Sequence, residues 1–179
     1  IITGTSAEFG DNVGELDAAL MERITAYVEQ GGSLLIAPAA RVTAPSYNRL
    51  FDGLTPAVLD QKHIIESGDY LSIAEVNRRH PIIKSLDLVE RGDLGAARFH
   101  GIWFTKPAPD SIGVLGFDNG QAALLEQKVG KGRVLLFTSS LDTQWNNLPR
   151  LGWYVPLVHE TLRYLAMQDE KKSTYTVGE

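Results

Sequence analysis

The chain contains no cysteine among its 179 residues. That excludes a thiolate nucleophile, a thiolate-bound metal and disulfide chemistry together, and it leaves the redox compartment open. No run approaches the roughly 18 consecutive apolar residues of a bilayer-spanning helix, so no part of this sequence is expected to insert in a membrane. Basic residues are outnumbered, 17 against 22 acidic, for a net charge of -5. Nucleic acid is therefore not an expected partner, because phosphate binding needs a concentrated basic face.

Recognisable site motifs are missing too. His63, His80, His100 and His159 stand far apart, so no close pair of imidazoles marks a metal site. His159-Glu160 opens like a zincin motif, but Arg163 stands where the second histidine belongs. The Gly-x-Ser-x-Gly elbow is absent. Gly113-x-x-Gly116 and Gly130-x-Gly132 lack the strand, glycine loop and helix context of a phosphate cradle. No metal and no cofactor is expected, and Arg78, Arg79 and Lys84 read as a solvated loop.

What remains is an ordinary globular composition, 44% hydrophobic and 22% charged, sufficient for one domain without a disulfide or metal staple. That domain is expected over residues 1–168. Residues 169–179 read as a linker or the start of a further β segment through Ser173-Thr174-Tyr175-Thr176-Val177. Both ends read as cut from a longer protein.

The firmest local pattern is a helix, a Gly-Gly turn and a strand. Leu16, Leu20, Ile24, Tyr27 and Val28 recur at helical spacing over 15–30, after a cap at Asp11 or Asn12. Gly31-Gly32 ends the helix, and Ser33-Leu34-Leu35-Ile36-Ala37 is a continuous apolar run suited to a strand covered on both faces. Residues 41–95 are less patterned: a short helix over 45–54, a strand at His63-Ile64-Ile65, a loop at 77–81, and further loop around Gly92 and Gly95. Strands are predicted at 98–105, 112–117, 122–129 and 133–138. Gly130-Lys131-Gly132 closes the last two as a hairpin. A final helix starts near Pro156, with Val158, Leu162 and Leu165 as its stripe. The fold class expected is a three-layer, flavodoxin-like α/β sheet, parallel mainly in its first half and antiparallel near the C-terminus.

Two places invite a site. Ser139 and Ser140 follow a strand and precede Asp142, which permits a serine-aspartate pair, although capping of the next turn is the favoured reading. Asp142, Gln144, Trp145, Asn146 and Asn147 crowd one loop between a strand and a helix, where α/β folds build sites. The competing reading is a self-bonded loop with Trp145 as a lid on the core. This loop is the first candidate for any ligand or partner contact.

The stretch Tyr27-Val28-Glu29-Gln30-Gly31-Gly32-Ser33-Leu34-Leu35-Ile36 resembles the helix, Gly-Gly, strand signature of class I glutamine amidotransferase-like domains, including the ThuA-like branch, where His80-Pro81-Ile82 also has a counterpart. Residues 129–165 are more specific. Gly132-Arg133-Val134-Leu135-Leu136-Phe137-Thr138-Ser139-Ser140-Leu141-Asp142 and Trp145-Asn146-Asn147-Leu148-Pro149 resemble the amidotransferase-like domain of bacterial membrane proteins related to the aerotolerance operon products. Those join transmembrane helices, a von Willebrand factor A domain and this domain.

The resemblance implies an inner-membrane-anchored parent with this domain on the extracytoplasmic side. It also implies that the nucleophile elbow is degenerate, with Pro38 and Ala39 where the family places cysteine. The family's His-x-Glu arrangement is missing from 138–142, so glutaminase activity is excluded. The expected function is a catalytically inactive module that binds an unidentified protein or a neighbouring domain. The alternative is a ThuA-like hydrolase or sugar-modifying enzyme that uses Asp142 or His80.

Overall fold

The computed structural model describes residues 2–3, 18–38, 40–66, 68–86 and 94–170. Asp11, Asn12, Leu16, Ala39, Gly92 and the 171–179 tail lie outside the described residues. Strands β1 (Ile2–Thr3), β2 (Ser33–Ala37), β3 (Ala57–Ile64), β4 (Ile73–Val76), β5 (Gly101–Pro107), β6 (Ile112–Phe117), β7 (Ala122–Val129) and β8 (Gly132–Phe137) are joined by helices α1 (Ala18–Glu29) after β1, α2 (Ala44–Leu50) after β2 and α3 (Pro81–Leu86) after β4, with α4 (Tyr154–Glu170) after β8. The main sheet runs β1-β2-β8-β7-β6-β4, and β3 pairs with β5 in a separate two-stranded sheet. The result is a three-layer, mixed α/β architecture.

The continuous apolar run of β2 is explained by burial on both faces. Leu34 and Ile36, with Val134 and Leu136 of β8, pack toward α1, α2 and the small sheet. Leu35 and Ala37, with Leu135 and Phe137, pack toward α3 and α4. The parallel part of the sheet is not a product of the first half alone. β2 lies between β1 and β8 and is parallel to both, so the last strand completes the parallel block. The antiparallel expectation holds across β8, β7 and β6.

The β7–β8 hairpin docks on the end of α1. Gly130 has φ 58°, and a Cβ on Gly132 would stand 2.1 Å from the carbonyl oxygens of Val28 and Gly32. Only glycine tolerates that approach, and Lys131 N–H donates to Glu29 O at 2.9 Å.

Both helical stripes differ from the sequence pattern. In α1 the buried residues are Met21 and Val28, with Ile24 packed beside them, whereas Leu20 is 39% and Tyr27 is 55% exposed. Tyr27 instead lays its ring over the turn, against the position a Gly32 Cβ would occupy. In α4, which starts at Tyr154, the inward line is Leu157, Thr161 and Leu165, while Leu162 is at the surface. Thr161 reads as polar, yet it is buried between two leucines on the packed face.

The middle region also differs in extent. β3 reaches back to Ala57, and helix α2 ends at Leu50 after a Thr43 cap whose Oγ1 accepts from Ser46 N–H at 3.4 Å. The expected strand at 98–105 begins only at Gly101. Before it, Phe99 forms isolated bridges to Leu71 and Asn146.

Candidate functional site

Ligand sites in α/β sheets form beyond the carboxyl ends of the parallel strands, here past Ala37 and Phe137. After β2, Pro38 is buried, and Ala40 O accepts from Lys62 Nζ at 2.5 Å. After β8, the hydroxyls are committed to the backbone. Thr138 Oγ1 donates to Ala122 O at 2.6 Å, Ser139 Oγ to Gly101 O at 2.8 Å and Ser140 Oγ to Asp142 O at 3.3 Å. Ser139 Oγ also accepts from Asn146 Nδ2 at 3.2 Å. A nucleophilic serine needs its proton directed at a base, and that of Ser139 goes to a carbonyl.

The 142–149 loop is built largely inward. Trp145 is 6% exposed and packs over Gly101, whose Cβ would stand 2.6 Å from the indole Cγ. Its ring centroid lies 6.4 Å from that of Trp103. Both indoles join the cluster that holds Ile36, Val42 and Leu136.

Asn146 is buried, donating to Ser140 O at 2.7 Å and accepting from Leu148 N–H at 3.0 Å. Asn147 Oδ1 accepts from Arg98 N–H at 2.8 Å. Asp142 Oδ1 accepts from Gln144 N–H at 2.9 Å, closing a local turn, and Gln144 itself is exposed. Asp142 also faces Tyr154, whose hydroxyl donates to Leu141 O at 2.8 Å. Burial, and then the Asp142 charge, raise the Tyr154 pKa above its ordinary value.

The structure assembles a second polar group that no sequence motif announces. His80 stands at the start of α3, where its carbonyl accepts from Lys84 N–H at 3.0 Å and its Nδ1 accepts from Ile82 N–H at 3.3 Å. Pro81 follows at the first helical position, where a missing N–H costs nothing. Since Nδ1 accepts, Nε2 carries the proton and donates it to Glu126 Oε2 at 2.6 Å.

Glu126 also receives the Tyr164 hydroxyl at 3.1 Å and the Arg133 guanidinium at 3.3 Å. Arg133 in turn stacks over the Tyr164 ring at 4.2 Å. A signal was present in the sequence: Glu126 alternates with Leu124 on one face of an apolar strand, and an acid so placed must find partners.

His80 and Asp142 do not converge. Asp142 lies beside Tyr154 and His80 beside Tyr164, two tyrosines ten residues apart on α4 and so separated by about 15 Å along the helix. The other histidines are dispersed. His63 stacks on Phe104 at 4.7 Å, His100 Nδ1 meets Asp69 O at 3.0 Å, and His159 meets Glu160 at 3.2 Å on the surface. Among the described residues no group of three or more histidine or acidic side chains is placed to hold a metal. An open groove of about 320 Å³, lined in part by Glu75, Asn77, Gly113, Gly116 and Gln121, flanks β4 and β6 and contains none of the site residues expected from the sequence.

No protein-family model and no curated protein matches the sequence. Solved structures share its fold. A cytoplasmic protein of Salmonella typhimurium aligns over 80% of this chain and 59% of its own, at 20% identity and a TM-score of 0.63. Another, from Salmonella typhimurium LT2, aligns over 82% and 60%, at 17% identity and a TM-score of 0.65. The β-galactosidase of Rahnella sp. R3 aligns over 83% of this chain but 21% of its own, at 14% identity and a TM-score of 0.58. The chain therefore spans about three-fifths of the Salmonella proteins and about a fifth of the glycosidase. At these identities the likeness establishes the fold alone.

Proposed function

We propose that the domain is a catalytically inactive, flavodoxin-like module of the class I glutamine amidotransferase-like type. It serves as a binding or structural domain of a membrane-anchored bacterial parent. The observation that carries this reading is the filled end of the parallel block. Pro38 is buried, the Thr138, Ser139 and Ser140 hydroxyls are tied to carbonyls, and Trp145 and Trp103 pack with the aliphatics where a substrate would need space. The ThuA-like alternative loses support from the separation of His80 and Asp142.

Ammonia release from glutamine by the purified domain tests the reading. The expected rate is that of buffer, and turnover that survives repurification and disappears in Asp142→Asn would overturn it.

The membrane anchor and the extracytoplasmic placement follow from the family resemblance. Among the described residues no helix is long and apolar enough to cross a membrane. Protease shaving of spheroplasts carrying the full-length parent is expected to cleave this domain. Protection until the membrane is broken would place it in the cytoplasm instead.

A further inference from the structure

Residues 98–100 are clamped from both sides by backbone bonds. Leu71 and Phe99 exchange two N–H to carbonyl bonds of 2.9 Å, while Asn147 N–H donates to Arg98 O at 3.1 Å and His100 N–H to Trp145 O at 2.6 Å. Phe99 is fully buried. By strand alternation its neighbours Arg98 and His100 therefore face outward, and both are exposed. Tyr70, beside the inward Leu71, is 43% exposed. The Arg98 guanidinium lies 4.8 Å above the Tyr70 ring, and the His100 ring meets the same tyrosine edge-on at 6.5 Å.

This cluster has defined polarity. Held over the ring face, the guanidinium keeps its N–H donors for another partner, and no described carboxylate lies in ion-pair range of Arg98. His100 Nδ1 faces the Asp69 carbonyl at 3.0 Å, so Nδ1 is the donor and Nε2 is the ring nitrogen left to accept. A rigid platform thus offers a donor fork for an oxyanion next to an acceptor for an N–H. The exposed Glu66 and Asp69 lie on the adjoining segment, so a second negative charge on a ligand is opposed and a singly charged group is favoured.

We propose that Arg98, Tyr70 and His100 form a recognition site for the carboxylate of an N-acylated amino acid, the chemistry of a peptide's C-terminal residue. Arg98 takes the carboxylate as a bidentate pair, His100 Nε2 accepts the adjoining amide N–H, and Tyr70 holds the guanidinium in place. The site adjoins the 142–149 loop through Trp145 and Asn147. The inference rests on the reading of the domain as a binding module, but its test does not use the glutamine assay, so either can fail without the other.

The test is a ¹H–¹⁵N NMR titration of the domain with N-acetylglycine, N-acetylglycinamide and acetate. N-acetylglycine is expected to shift the resonances of Tyr70, Arg98 and His100 saturably, and to bind about tenfold more tightly than the amide, the effect of one charge-assisted pair. Arg98→Gln is expected to lose about the same factor with an unchanged unfolding midpoint, and His100→Phe to reduce N-acetylglycine to the level of acetate.

Equal binding of acid and amide, equal binding of N-acetylglycine and acetate to wild type, or an undiminished response in Arg98→Gln would overturn the proposal. A peptide ending in the same free glycine separates the two sources of this chemistry. Tighter binding than N-acetylglycine assigns a protein tail, equal binding assigns a small N-acyl acid, and both support the site.

Discussion

The Nε2 proton of His80 is donated to Glu126 at 2.6 Å, between side chains that are 4% and 3% exposed. The same carboxylate is the meeting point of Tyr164 and Arg133, so it holds the start of α3, the body of α4 and the edge of the β7–β8 hairpin to one another. Removing one member of a buried pair strands the other without compensation. Glu126→Ala is expected to cost about 3–5 kcal/mol in urea unfolding. His80→Asn retains a side chain that can cap α3 and is expected to cost only about 1–2 kcal/mol. A Glu126→Ala midpoint equal to wild type would show that the cluster does not hold these elements.

Alkaline stability depends on Tyr47. Its hydroxyl donates to Thr55 Oγ1 at 2.6 Å, and Thr55 Oγ1 donates onward to Ala57 O at 3.1 Å. Burial raises the Tyr47 pKa well above its ordinary value, with the Thr55 bond opposing the shift. The folded state therefore holds this proton more tightly than the unfolded chain does. Its contribution is complete below about pH 10, the unfolded value, and falls by about 1.4 kcal/mol per pH unit as pH rises toward the folded value. Tyr47→Phe is expected to cost about 1 kcal/mol at neutral pH and to flatten the alkaline limb. Unfolding midpoints compared on both sides of pH 10 decide it, and an unchanged limb would count against the tyrosine.

Trp145 and Gly101 form a matched pair. Trp145→Ala removes a buried aromatic and is expected to cost about 3–5 kcal/mol. Gly101→Ala pushes a methyl into the indole and is expected to cost about 1–3 kcal/mol by overpacking. The two effects should not add, because shortening Trp145 makes room for the methyl. A double-mutant cycle read by urea unfolding checks this, and strict additivity would mean that the two side chains do not meet.

Asn48 completes the outer edge of the small sheet. Its amide donates to Leu59 O and its carbonyl accepts from Leu59 N–H, both at 2.8 Å, as a neighbouring strand would. Asn48→Ala leaves both backbone groups of Leu59 without this partner and is expected to cost about 1–3 kcal/mol. Asn48→Asp keeps the acceptor and sets a carboxylate oxygen against a carbonyl, so it should recover less than half of that loss. Faster amide exchange confined to Leu59 and its neighbours is the accompanying signature.

The sequence was readable where structure is local. β6 and β7 fall at the expected 112–117 and 122–129, the second closed by the Gly130-Lys131-Gly132 hairpin, and Gly31-Gly32 followed by an apolar run announced β2 on chemical grounds. What it could not convey is who faces whom. Leu20 and Leu162 obey helical spacing but face solvent, because the helices turn Met21 and Thr161 inward instead. The Glu126 cluster draws on His80, Arg133 and Tyr164 from distant parts of the chain, and no spacing rule joins them. The 41–95 region resisted reading because β3, a strand of the small sheet, exposes Asp60, Gln61 and Lys62 in succession.

The seam between β2 and β8 has a kinetic consequence. Ser33 lies opposite Arg133, so this pairing closes a loop of about 100 residues, whereas β6 with β7 and β7 with β8 pair across short turns. Loop-closure entropy makes the distant pairing the expensive step, and the hairpins form first at modest entropic cost. Truncations in the β6–β8 hairpins, such as Leu125→Ala, are therefore expected to slow refolding. Leu35→Ala in β2 is expected mainly to speed unfolding. Lying next to the edge strand β1, β2 is then recruited after the hairpins, and the parallel block exists only once the chain is otherwise almost complete.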